Sequence, residues 1–150
     1  MVKKRPWYVI VFAILLVLIA VTLFSTWGYQ AVNYLLGSSF SVETGSTFYD
    51  LIIGVVAMIS SVLIFIGALY LWSMKVPAIK YLSLGAIGFL IKNVFDIIND
   101  IIPLTKLAEV TIKEITTASW AIGGDLFQAV FWVFVLVFFT RTFFRKKLSK

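Results

Sequence analysis

The stretch KNVFDIIND, residues 92–100, places Lys92, Asn93, Asp96, Asn99 and Asp100 in a chain that is otherwise strongly apolar, and GGDLFQ, residues 123–128, adds Asp125 and Gln128. At 100° per residue, the five polar groups of the first stretch fall within an arc of roughly 120° on a helix. One helical face is therefore polar. In the second stretch, Asp125 and Gln128 lie one turn apart. Carboxylate and amide oxygens of this kind suit a hard cation such as Na⁺ or Ca²⁺. With Lys92 as charge partner, the same carboxylates form the elements of a proton relay. Asp96 and Asp125 could also work as an acid and base pair or hold a metal, although no nucleophile or phosphate-binding signature accompanies them. A fourth reading is structural: Lys92, Asp96 and Asp125 tie two helices together, or tie the chain to a partner, with no transport.

Other chemistries are closed to this chain. It has no cysteine and no histidine. Disulfides, thiolate metal sites, imidazole ligation of haem or zinc, and Cys–His or Ser–His–Asp nucleophiles are all excluded. No cofactor is expected.

The elements that must position these groups are membrane helices. Of the 150 residues, 61% are hydrophobic and 13% charged, far from the roughly 45–50% and 25% of soluble domains. Four apolar segments, about 7–24, 51–72, 81–102 and 120–139, are each long enough to cross a hydrocarbon core of roughly 30 Å. The first follows Lys3, Lys4 and Arg5 and reads as a retained signal anchor, because it is longer than a typical signal-peptide core and no small-x-small cleavage site follows in STWGYQ. It could continue to Leu36 and stop at Gly37. Trp27, Tyr29 and Tyr34 would then collect at the outer interface. Thr47 and Asp50 resemble a capping box that starts the second helix.

The charges set the topology. Lys3, Lys4, Arg5, Lys75, Lys80, Arg141, Arg145, Lys146, Lys147 and Lys150 share one side of a four-span chain, whereas only Lys106 and Lys113 oppose Glu43, Asp50, Glu109 and Glu114 on the other. The positive-inside rule makes both termini cytoplasmic, with a basic tail over 140–150. Because the net charge of +6 is distributed this way, it argues for a membrane surface and against nucleic acid. Arg141, Arg145, Lys146 and Lys147 are candidates for contact with anionic headgroups, each worth about 1 kcal/mol near the surface.

Depth follows from a rise of about 1.5 Å per residue. Counted from the inner surface, Lys92 lies roughly 16 Å deep, Asp96 about 22 Å and Asp100 about 28 Å. Asp125 comes to about 21 Å and Gln128 to about 17 Å on the same scale. Asp96 is thus level with Asp125, and Lys92 with Gln128. On the second helix, Gly54, Ala57, Ser61 and Ala68 form a stripe of small residues suited to close helix packing, and Gly85 and Gly88 do the same on the third. Between the third and fourth helices, PLTKLAEVTIKEITTAS reads as a short amphipathic helix on the outer surface, with Glu109 four residues before Lys113.

The expected architecture is a single integral membrane domain over 1–150, an all-α four-helix transmembrane bundle of the cell membrane. The expected role is a non-enzymatic accessory or assembly subunit, in contact with lipid and with a second copy or a membrane-complex partner. The alternative is a small cation- or proton-handling protein that uses Asp96, Asp100 and Asp125.

Overall fold

The computed structural model describes residues 6–37, 48–106 and 112–141, all but a few of them in four helices. They are α1 (Trp7–Gly37), α2 (Phe48–Trp72), α3 (Pro77–Lys106) and α4 (Ile112–Thr140). All four are long and apolar enough to cross a membrane. By that measure the chain is a multi-pass membrane protein, because only helices and closed barrels satisfy every backbone group within lipid. Among the described residues there is no strand.

Helices α2, α3 and α4 all begin earlier than the apolar runs predict, α2 by three residues at Phe48. Hydropathy places the start of α3 near Tyr81, but the helix opens at Pro77. Proline suits a first helical position, since its missing N–H would have no intrahelical acceptor there. Likewise α4 opens at Ile112 and not near Trp120. The amphipathic segment expected ahead of α4 is divided among the end of α3, the start of α4 and residues 107–111, which lie outside the described residues, as does Thr47 of the expected capping box.

The turn between α2 and α3 is tight. Met74 adopts φ 54°, the left-handed conformation that normally favours glycine. The Lys75 N–H donates to Tyr70 O at 2.9 Å and the Met74 N–H to Leu71 O at 2.9 Å. This pair of bonds is a Schellman cap, with methionine at the glycine position. Met74 is half-buried and packs against the core, an apolar contact that helps hold the strained backbone.

Each helix packs on the next in chain order, α1 on α2, α2 on α3 and α3 on α4. The start of α1, the end of α4 and the α2–α3 turn therefore lie at one end, called here the terminal end; the opposite end is the distal end. At the terminal end α1 also meets α4, where the Phe12 ring lies 5.7 Å from Phe138 and 5.5 Å from Phe139.

Spacings of three and four residues explain which faces are inside. On α1 the seam is Val9, Ala13, Leu16 and Ala20, with Leu23 and Trp27 partly buried beyond them. On α4 it is Trp132, Val135 and Phe139. Alternation of three and four keeps residues on one helical face, as in a bundle seam.

Helices α2 and α3 approach each other closely at three glycines. A Cβ on Gly67 would lie 2.7 Å from Leu82 Cγ and 2.9 Å from the Leu82 backbone nitrogen. One on Gly85 would lie 2.7 Å from Ile64 Cγ1 and 3.0 Å from Ser60 O, and one on Gly88 would collide with Ser60 Oγ. Gly54, by contrast, faces α1, where Trp27 Cε3 is 3.9 Å from its notional Cβ. Ala57, Ser61 and Ala68 are buried. Thus α2 uses two small-residue faces, one toward each neighbour.

Candidate polar site between the third and fourth helices

The two seams that face each other across α3 and α4 change character partway along. At their terminal end, Phe89 and Trp132 stack with centroids 4.7 Å apart and planes 8° from parallel. Phe89 is fully buried and Trp132 nearly so. Three residues beyond Phe89 on α3 comes Lys92. Continuing the α4 seam from Trp132 by steps of four and three residues gives Gln128 and Asp125. The polar groups therefore occupy positions that the helical spacing reserves for core.

Lys92 is 4% exposed. Its ammonium lies 2.5 Å from Asp96 Oδ2, one turn along the same helix, and 3.6 Å from Asp125 Oδ1 on α4. The carboxylate side chains are 19% and 13% exposed. One cation therefore faces two carboxylates from two helices. An unpaired charge at the centre of a membrane helix costs about 2.5–3.5 kcal/mol on insertion scales, so mutual pairing is what lets α3 carry these residues.

Two further groups surround the ammonium. The Trp27 ring of α1 is centred 4.7 Å from Lys92 Nζ, within the range of about 6 Å at which a ring face attracts a cation. Asn93 is fully buried and its Oδ1 accepts a hydrogen bond from Lys92 Nζ at 3.3 Å. Its Nδ2 has no hydrogen-bond partner. Exchanging the amide oxygen and nitrogen would turn two donors toward each other, so the ammonium fixes the amide orientation.

The remaining polar residues are spread more widely. Gln128 is half-buried, whereas Asn99 is exposed. The side chain of Asp100 lies outside the described residues. Gly85 and Gly88 serve the α2–α3 contact on the terminal side of Lys92. Arg141 is exposed just beyond α4, and Arg145, Lys146 and Lys147 lie outside the described residues. Among the described residues, no group of three or more acidic, histidine or cysteine side chains could hold a metal ion.

Depth counting places Asp96 beside Asp125 but leaves open which carboxylate takes Lys92; in the structure the ammonium engages both. Sequence reasoning missed Trp27, reading it as an interfacial ring. The signal was present in the α1 seam, which reaches Trp27 from Ala20 and Leu23 by steps of three and four. It also missed Ser60 and Gly67 as contact points and the Phe89–Trp132 stack, because a run such as FWVFVLVFF does not show which rings turn inward. No protein-family model matches the chain, and no curated protein or solved structure is significantly similar to it.

Proposed function

We propose that this chain is a non-enzymatic accessory or assembly subunit of a membrane complex, and that its polar cluster is an internal fastening between α3 and α4. The observation that carries the reading is the buried Lys92 ammonium, which reaches Asp96 on its own helix and Asp125 on the next. A charge held in this way fixes the rotation and register of two helices, the best-attested role of buried ionic groups. The apolar exterior of α4, with Trp120, Phe127 and Val130 prominently exposed, is available to lipid or to a partner subunit. In this reading both termini are cytoplasmic, the basic residues from Arg141 onward meet anionic headgroups, and the chain resides in the cell membrane.

The test is purification from native membrane under mild detergent. Stoichiometric partners, or a defined homo-oligomer, support the subunit reading. Ion or proton flux through liposomes containing this chain alone, abolished by Asp96→Asn or Asp125→Asn in variants that remain folded, would sink it.

A second reading is a small cation- or proton-handling protein, in which Asp96, Asp100 and Asp125 act on the transported species. It draws its support from the two carboxylates, on two helices, that face Lys92. The stacked rings of Phe89 and Trp132 stand on the terminal side of that cluster, where a through-path would have to run.

A further inference from the structure

We propose that the α2–α3 turn is a seat for the phosphate of an acidic phospholipid, held by Lys75 and Lys80 beside the stacked rings of Tyr70 and Tyr81. The inference takes from the proposed function only that the chain spans a bilayer. It makes no use of a partner subunit or of the basic tail.

The turn itself brings the first cation into place. In the Schellman cap the Lys75 N–H donates to Tyr70 O, a bond that commonly brings the two side chains into contact as well. Here the contact is between an ammonium and a ring. Lys75 Nζ lies 6.0 Å from the Tyr70 centroid, at the outer edge of the range of about 6 Å in which a ring face attracts a cation. A contact of that length keeps the ammonium near the end of α2 and leaves its N–H donors available to an anion.

The same ring leads to the second cation. Tyr70 stacks on Tyr81 of α3, with centroids 5.5 Å apart and planes 9° from parallel. Lys80, the residue before Tyr81, belongs to the first turn of α3, which opens at Pro77. Its rise from Pro77 is about 4.5 Å, so both lysines spring from one thin layer at the terminal end. Both are exposed, whereas both tyrosines are half-buried. That is the order of groups at a bilayer surface, where amphipathic rings sit at headgroup level and lysine stems carry the charge out to the phosphates.

Charge complementarity identifies the occupant. None of the seven acidic residues of the chain falls within 1–42, 51–95 or 126–150, the stretches that make up the terminal half. Asp96 lies 19 residues along α3 from Pro77, about 28 Å of rise, and Asp125 lies 15 residues from Thr140, about 22 Å. Both face Lys92. The anion for Lys75 and Lys80 therefore comes from outside the chain, and at this height a bilayer supplies phosphate. Lysine binds phosphate as a point charge. A headgroup whose only charge is its phosphate suits two ammonium groups better than one that carries a quaternary ammonium of its own.

Native mass spectrometry of the full chain, released from nanodiscs of phosphatidylcholine with a minor fraction of phosphatidylglycerol, tests the seat. Phosphatidylglycerol should be retained in preference to phosphatidylcholine. Its affinity should fall about fivefold in Lys75→Gln and again in Lys80→Gln, both exposed positions whose replacement leaves the fold intact, and should not change in Lys106→Gln. Tyr70→Leu, which alters no charge, should weaken retention about twofold to fivefold, whereas Tyr70→Phe should not. Phosphatidylglycerol with a photoreactive headgroup should label residues 69–84. Equal retention of the two lipids overturns the proposal, as does native affinity in Lys75→Gln and Lys80→Gln. Label confined to residues 141–150 overturns it too, by making the contact a diffuse property of the tail. Displacement by inorganic phosphate at fixed ionic strength would make the ligand a free anion and refute the lipid assignment. Each of these failures leaves the subunit reading intact, because that reading stands or falls on co-purification and flux.

Discussion

On the terminal side of Lys92 the α3–α4 seam is filled by Phe89 stacked on Trp132; on the distal side, by one ammonium and two carboxylates. The two halves share one spacing and one pair of helices, yet they respond differently to loss of a group. Aromatic packing degrades gradually as contacts are removed, because dispersion is spread over many atom pairs. A charge cluster does not, since removing one member strands the others in a low-dielectric environment.

Breaking that contrast begins with the cluster. Lys92→Met removes the ammonium that both carboxylates face and should destabilise the bundle by about 3–5 kcal/mol, read as a lower unfolding midpoint in detergent. Adding Asp96→Asn and Asp125→Asn to Lys92→Met should restore much of that stability, and a triple variant no better than the single one would mean that charge is not what holds this half together. The packing half is probed at its tightest point. Gly67→Ala drives a Cβ into Leu82, including its backbone nitrogen, and overpacking of this kind costs about 1–3 kcal/mol.

A smaller effect is expected from Trp27→Leu. It removes the ring facing Lys92 Nζ while keeping apolar bulk, for a loss of about 0.5–2 kcal/mol. In a Lys92→Met background the same substitution should cost less, and equal cost in both backgrounds would show that the ring acts by packing alone. The smallest effect belongs to Gly124→Ala. Nothing lies within 4 Å of its notional Cβ, and alanine is the better helix former by about 1 kcal/mol. Stability should stay level or rise slightly, whereas a marked loss would reveal close packing against that face.

Most of the fold was legible in the sequence, because twenty or so apolar residues in a row leave the backbone few alternatives to a helix in lipid. Helix ends were less legible. Hydropathy marks where the chain is oily, but Pro77 begins α3 on backbone grounds and Met74 turns the preceding corner with no glycine to announce it. The candidate site was legible as a list of residues and as a pair of levels. Lys92, Asp96 and Asp125 stand out by type, and the rise per residue brings Asp96 and Asp125 to one depth. What could not be read was their environment. The approach of α1, which brings Trp27 over Lys92, is set by Gly54 and by the α1 seam. The stacking of Phe89 on Trp132 depends on the rotation of two helices about their own axes, and many rotations satisfy the same hydropathy.

The sequence by itself determined that this chain carries four segments long and apolar enough to cross a membrane, with a lysine and two aspartates at similar heights along two of them. Composition and a fixed helical rise suffice for both, since each is a property of one helix at a time. Only the tertiary structure decided that one ammonium reaches both carboxylates, that Asp96 lies closer to it than Asp125, and that two stacked rings fill the terminal side of the seam. Those facts depend on the relative rotation and approach of helices, which arise from packing between elements and are encoded in no single stretch.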